Sequence, residues 1–249
     1  MDGDAAGRAR AWHHARHAAV CDVARPWAHG TVVRATRYPS YYDFNLVRVE
    51  DDPAMSVDAL IAFADDALAG LPHRRLDFDR IDAAEPLRRD FEARGWRTMS
   101  VVMMRHETPP PPGPDVAVEE VPYDAVHDLR VAWHREDFPD LDPSGYHAEA
   151  REVALRRGAQ VLAVRRHGVP VGFAQLEHDG TAAEITEVFV HREHRGGGLG
   201  TAITRAAIRA AGPMHDLWIG ADDEDRAKKL YARLGFRPVW TTMEFTQLP

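Results

Sequence analysis

Along the first hundred residues, the pattern of apolar and polar positions has the period of a strand in some segments and the period of a helix in others. Strands are predicted over residues 30–36, 44–50, 75–78 and 96–105, and helices over 56–69 and 85–94. Ser56 stands at the start of the first of these helices, where its side chain can accept a bond from a free amide of the first turn. Residues 9–24 are interpreted as a leading helix.

The remaining chain predicts the element order α-α-β-β-β-α-β-α-β. Helices are predicted over residues 123–135, 144–157, 199–211 and 225–234, and strands over 160–166, 169–177, 182–190, 217–220 and 237–245. His167 and Gly168 form the expected turn of a hairpin between the first two of these strands. This alternation is typical of an α/β protein of the α+β type, with a mixed central sheet flanked by helices.

A proline-rich segment divides the two patterns. Residues 108–115 contain four consecutive prolines, which favour an extended spacer that lacks amide donors. We expect domains at residues 1–108 and 116–249, joined by a linker over 109–115, because each side carries its own strands and helices. The alternative is a long surface loop inside one domain.

The two halves share a pattern near their ends. Residues 87–97 and 228–237 both read as a helix, then a glycine, an aromatic residue and a strand. The glycines are Gly95 and Gly235, and glycine suits the left-handed turn that ends a helix. We therefore expect a duplication, in which Phe91 of the first half stands where the second half has Tyr231.

Composition narrows the classes of function. The chain has 249 residues, a net charge of −8 and one cysteine, Cys21. No intrachain disulfide is possible, which suits a reducing cytoplasm, and the acidic balance argues against nucleic acid as the main ligand. No apolar run reaches about 18 residues, so neither a transmembrane helix nor a membrane partner is expected.

One candidate metal site occurs in the leading helix. His13, His17 and Cys21 are spaced four residues apart, which places them on one helical face. A soft metal site is one interpretation. An ordinary helix face is the interpretation we adopt, because no further ligand is evident, and no metal is expected.

The most informative motif is the glycine-rich run from Arg195 to Gly200. It follows a strand and opens a helix, where free amides and the helix dipole attract anions. Glycines let the backbone approach a ligand closely, and Arg195 adds a cation. The spacing matches neither a Rossmann nor a Walker loop.

These residues resemble the GNAT superfamily of acetyltransferases. Its phosphate-loop pattern, Arg/Gln-x-x-Gly-x-Gly/Ala, is matched by Arg195, Gly198 and Gly200, and residues 230–236 resemble its Leu-Tyr-x-x-x-Gly-Phe helix end. The resemblance covers most of residues 115–247. It implies the GNAT acyl-CoA N-acyltransferase fold, in two tandem copies. The first copy lacks the loop and is expected to be non-catalytic.

The resemblance also implies a coenzyme, acetyl-CoA, as co-substrate. The backbone of Val188 and Val190 is expected to pair with its pantetheine, and the loop with its pyrophosphate. The residues assigned to the coenzyme are Val188, Phe189, Val190, Arg195, Gly196, Gly197, Gly198, Leu199, Gly200 and Thr201.

The implied reaction is direct attack of a primary amine, from a small molecule or peptide, on the thioester in a ternary complex. Tyr231 is the expected acid for the leaving thiolate, and Glu184 and Glu187 are candidate bases. Their odd spacing places them on opposite faces of a strand, and Glu187, nearer the ligand end, is slightly preferred. The alternative function is a non-catalytic acyl-CoA sensor. The chain is expected to be a monomer or a homodimer.

Overall fold

The computed structural model describes residues 5–113 and 116–249. The helices are α1 Ala5–Val20, α2 Val57–Ala67, α3 Ile81–Ala84, α4 Arg88–Glu92, α5 His127–Asp137, α6 Ser144–Arg156, α7 Leu199–Ala211 and α8 Ala227–Arg233. The strands are β1 Val23–Trp27, β2 Gly30–Arg34, β3 Asn45–Val49, β4 Arg74–Phe78, β5 Arg97–His106, β6 Glu119–Val121, β7 Gln160–Arg166, β8 Val169–His178, β9 Ala182–Val190, β10 Asp216–Asp222 and β11 Phe236–Gln247.

Local sequence signals account for most element ends. Ser56 caps α2 by accepting a bond from the Ala59 amide, as predicted. His167 and Gly168 have φ values of 52° and 82°, which form the predicted hairpin turn between β7 and β8. The short strands β1 and β6 were not predicted. β1 contains Pro26, which weakens a strand signal, and β6 has only 3 residues.

The described residues form two compact units. The first unit contains those up to Met103, together with Ala221–Asp225 and Pro238–Pro249. Its strand order is β1-β2-β3-β4-β11-β5, with β3 and β4 parallel and connected through α2. Leu60, Phe78 and Phe91 lie in its apolar core.

The second unit contains the described residues of Met104–Gly220 and Arg226–Arg237. Its strands run in the order β10-β9-β8-β7-β6, and β9 and β10 are parallel and connected through α7. Helix α7 packs against β7, β8 and β9, whereas α5 packs against β8 and β9. Each unit thus contains three consecutive antiparallel strands, β1–β3 or β7–β9, followed by a helix and a parallel strand, which supports the predicted duplication.

The last strand departs from the expected division of the chain. β11 was assigned to a domain of residues 116–249, but its Pro238–Gln247 portion lies in the first unit, antiparallel to β4. Met243 and Phe245 bury completely in the core of that unit, which explains the placement. Of the predicted linker, residues 109–113 form neither helix nor strand, and 114 and 115 lie outside the described residues.

None of the helices in residues 5–113 and 116–249 has the length and apolar character needed to cross a membrane.

Candidate active site

The glycine-rich loop joins β9 to α7 through left-handed backbone. Gly196 and Gly198 have φ values of 84° and 77°, and Gly198 is the N-cap of α7. A Cβ atom added at Gly196, Gly197 or Gly198 would meet no atom within 4 Å. The amides of the first turn of a helix lack intrahelical partners and carry its positive dipole end. The loop therefore presents an accessible cradle for an anion.

Arg195 braces this loop against the rest of the second unit. Its Nε donates to the carbonyl oxygen of Val190 at 2.8 Å, and its Nη2 donates to Glu136 Oε2 at 2.6 Å. Its guanidinium also lies 5.4 Å from the centre of the Phe189 ring. The predicted contact between Arg195 and a phosphate stays a prediction, and the observed contacts give Arg195 a structural role.

Strands β9 and β10 are paired over only part of β9. Their parallel register runs from Ala182 and Asp216 to Ile185 and Ile219. β9 continues to Val190 and stays paired with β8 on its other edge. Among the described residues, no register with β10 is found over 186–190. The backbone of this stretch is therefore an open strand edge, which can pair with the amides of an extended ligand.

The side chains along that open edge differ in their surroundings. Phe189 is buried and stacks on Trp133, with ring centroids 5.6 Å apart. Val188 and Val190 are half-buried. Phe189 thus anchors the strand through its ring.

A β-bulge at Thr186 places the two candidate glutamates on the same face of β9, whereas opposite faces were expected. Glu187 lies opposite Gln175, and Glu184 lies opposite Glu177. Gln175 and Glu177 are two residues apart and share one face of β8. Glu184 and Glu187 therefore share that face too, and the prediction of opposite faces was wrong. Thr186 is the extra residue that shifts the alternation.

Glu187 belongs to a buried polar network that was not predicted. Arg130 of α5 pairs with the Glu187 carboxylate and donates to Gln175 Oε1 at 2.8 Å. Gln175 Nε2 donates to Glu177 at 3.0 Å, and Arg157 Nε donates to the other Glu177 oxygen at 2.7 Å. The available sequence signal was the pair of polar residues inside the otherwise apolar strand β8.

Aromatic rings enclose the guanidinium of Arg130. It lies 4.0 Å from the centre of the Tyr123 ring and 4.6 Å from that of Phe173. Burial raises the pKa of Tyr123 to about 12, so its phenol stays neutral beside the cation. Arg130 is thereby held in one position, and so is the carboxylate that it binds.

Three elements of the second unit converge at Gly200. A Cβ atom added there would lie 3.5 Å from Leu230 of α8 and 3.9 Å from Val190 of β9. Tyr231 follows Leu230 and is buried, with its ring centroid 6.3 Å from that of Phe236. The first turn of α7, the open end of β9 and the middle of α8 are thus close together. The loop, Val190 and the segment carrying Tyr231 therefore occupy one region.

The candidate metal residues in and just after α1 have ordinary structural contacts. Cys21 Sγ donates to the Phe44 carbonyl oxygen at 3.3 Å, and burial raises the pKa of the thiol to about 12. His17 Nε2 lies 3.1 Å from the carbonyl oxygen of Asp43. Within the described part of the chain, no group of three or more His, Cys, Asp or Glu side chains is arranged to hold a metal ion.

Comparisons with known proteins agree with this geometry. Residues 123–236 match the Acetyltransferase (GNAT) family. An uncharacterized N-acetyltransferase of Methanocaldococcus jannaschii is 36% identical over 81 residues, which cover 28% of this chain and 35% of that protein. The match thus spans about a third of the length of this curated relative.

Two solved structures resemble the chain over nearly its whole length. A GCN5-related N-acetyltransferase from Kribbella flavida gives a TM-score of 0.57 at 18% identity, covering 99% of this chain and 96% of that one. A Staphylococcus epidermidis protein of unknown function gives a TM-score of 0.69 at 16% identity, covering 90% and 92%. These similarities show the fold, which is that of the acyl-CoA N-acyltransferases.

Proposed function

We propose that this chain, whose residues 123–236 match the Acetyltransferase (GNAT) family, is an acyl-CoA-dependent N-acetyltransferase that moves an acetyl group from acetyl-CoA to a primary amine. The acceptor is a small molecule or a peptide. One observation carries the proposal: the open edge of β9 leads directly into the accessible amides at the start of α7.

The coenzyme would use both parts of this feature. The pantetheine amides pair with the backbone of Val188 and Val190 along the open strand edge. The pyrophosphate binds the amides of the loop and of the first turn of α7, where the dipole favours negative charge. A main-chain amide of β9 polarises the thioester carbonyl, because it donates to the oxygen on which negative charge develops.

The reaction then needs one base and one acid. The base takes a proton from the ammonium form of the acceptor, and the neutral amine attacks the thioester carbonyl carbon. The C–S bond breaks, and the thiolate leaves with a proton from the Tyr231 hydroxyl. We assign the base to Glu184 rather than Glu187, because the Glu187 carboxylate already pairs with the buried Arg130.

The first half is proposed to be a second copy of the fold without its own catalytic site. The segment between β3 and α2 corresponds to the loop between β9 and α7. It carries Glu50, Asp51 and Asp52 and contains no glycine. Three carboxylates repel a pyrophosphate.

The function is tested in two steps. Calorimetry with the full chain should show acetyl-CoA binding, and saturating acetyl-CoA should raise the melting temperature. A thiol-release assay over a panel of amines should then show acetyl transfer to at least one of them. The absence of binding at millimolar acetyl-CoA would refute the proposal.

An acyl-CoA sensor without catalysis is the second candidate, because the Arg130–Glu187 ion pair engages one of the two candidate bases. A carboxylate that is bound to a buried guanidinium is a poor proton acceptor. Binding of acetyl-CoA without thiol release for any amine is the result expected of a sensor. Measurable turnover excludes that function.

A further inference from the structure

Trp218 of β10 has a buried polar group that no described protein atom satisfies. The side chain is only 1% exposed, and its indole Nε1 has no hydrogen-bond partner among the described residues. An indole N–H can only donate, and leaving it unpaired in the interior is costly. A bound water or a group of the substrate would satisfy it.

The strand register places Trp218 beside a candidate base. Trp218 lies opposite Glu184 in the parallel pair of β10 and β9. Residues opposite each other share a face of the sheet, and neighbouring strands are about 4.8 Å apart. Glu184 is itself 4% exposed. Trp218, which carries a buried donor, and Glu184, which carries a buried carboxylate, are thus neighbours on one face of the sheet in the second unit.

We propose that Trp218 is a positioning residue whose indole N–H holds a water molecule against the Glu184 carboxylate, and that this water relays the proton of the acceptor amine. The inference rests on the proposed function. The water accepts bonds from the indole N–H and the ammonium, and donates one bond to Glu184. Three partners of this kind are typical of a buried water.

The proton balance of the relay is complete. The ammonium gives a proton to the water oxygen, and the water gives one of its own protons to the Glu184 carboxylate. The products are a neutral amine, a water and a neutral carboxylic acid. The indole keeps its proton throughout, so its part is to fix the water.

Other charged groups on the same face are paired with each other. Glu177 bonds to Arg157, Glu187 to Arg130, and Asp216 lies 3.8 Å from Arg105. His215 Nδ1 lies 3.1 Å from the second oxygen of Asp216. A pH profile must be interpreted with these groups in mind, and their arginine partners stay charged across the range tested.

The first test is the pH dependence of W218F, which keeps most of the ring volume and loses the N–H. At pH 7 we expect kcat to fall by about 10- to 100-fold, with little change in the KM for acetyl-CoA. The deficit should shrink towards the pKa of the acceptor amine, because the amine then loses its proton to solvent. A merely structural defect would give the same deficit at every pH.

The matched control is W133F. Trp133 is half-buried in the same unit, where it stacks on Phe189, and the substitution is chemically identical. It should leave the shape of the pH profile unchanged.

A second measurement does not depend on turnover. With 15N-labelled protein, the indole resonance of Trp218 is the one missing in W218F. We expect it to shift with pH in the wild type and to lose that shift in E184Q. If acetyl-CoA binds but no amine is acetylated, the proposed function fails. The indole resonance then still tests whether the Trp218 N–H and the Glu184 carboxylate interact.

Two results would overturn the inference. One is a W218F enzyme with the wild-type pH profile or a pH-independent deficit. The other is an indole resonance whose pH dependence is the same in E184Q as in the wild type.

Discussion

The ring of Phe245 stacks on the ring of Phe91, with centroids 4.1 Å apart and planes 21° from parallel. Phe245 lies on β11, the last strand of the chain, and Phe91 lies on α4 of the first half. Both are fully buried in the first unit. The last strand therefore completes a core that the first half of the sequence began.

This stacking predicts that F245A is strongly destabilising. Removing a fully buried phenyl ring typically costs about 3–5 kcal/mol. Chemical denaturation of the full chain measures the loss. M99A is the control, because the side chain of Met99 is among the exposed apolar ones and its loss should change stability by less than about 0.5 kcal/mol. Similar stabilities for the two variants would contradict the role of Phe245.

The loop geometry predicts that G198A weakens acetyl-CoA binding. Alanine at a φ of 77° is strained, and its methyl group would project into the space that the coenzyme needs. We expect the Kd to rise about tenfold or more, equivalent to about 1.4 kcal/mol. Calorimetry measures the change.

The control for that variant is G180A. Gly180 has a φ of 94° and open space around its Cβ position, but lies in the turn between β8 and β9. The two variants should lose similar stability, about 1 kcal/mol, and only G198A should bind acetyl-CoA more weakly. Equal acetyl-CoA affinities for G198A and G180A would show that the loop is not part of the coenzyme site.

The acid role of Tyr231 predicts that Y231F slows turnover without weakening binding. Phenylalanine preserves the buried ring but has no proton to donate to the thiolate. We expect kcat to fall by about 100-fold and the Kd for acetyl-CoA to stay within twofold. Y38F, at a buried tyrosine of the first unit, should keep the wild-type kcat. Wild-type turnover by Y231F would exclude the role.

The two glutamates of β9 should respond differently to the same substitution. E184Q removes the proposed base, so its kcat should fall by about 100-fold. E187Q instead leaves the buried Arg130 without its counter-charge, so its main effect should be a loss of about 3 kcal/mol in stability. Steady-state kinetics and urea denaturation of both variants separate these outcomes. A larger loss of kcat in E187Q would assign the base to Glu187.

Glu244 predicts a pH dependence of stability. Burial raises its pKa to about 8, and the attraction of Arg75 at 2.9 Å does not offset this effect. The reference value for the unfolded chain is 4.5. Between these values the folded state holds a proton that the unfolded state releases, so stability falls as pH rises from about 4.5 to 8.

E244Q should reduce this pH dependence. The urea midpoint of the wild type should fall between pH 5 and pH 8 more than that of the variant does. E120Q, at an exposed glutamate, should behave as the wild type. Identical slopes for E244Q and the wild type would show that Glu244 does not hold the proton.

Local chemistry in the sequence determined the elements and the loop. Ser56 at the start of α2, the His167-Gly168 turn and the glycines before α7 each specify a backbone conformation through their own side chains or the lack of one. Such signals act within a few residues, so they can be read from the sequence alone. The position of the anion cradle between a strand and a helix follows from them.

Only the tertiary structure decided which distant groups meet. The bulge at Thr186 brings Glu184 and Glu187 to one face, and nothing in the spacing of the strand announces it. Arg130 reaches Glu187 across 57 positions, and β11 adds to the first unit rather than to its own half. These outcomes depend on strand register and on which core buries each apolar side chain. Both are properties of the packed chain, and local sequence does not encode them.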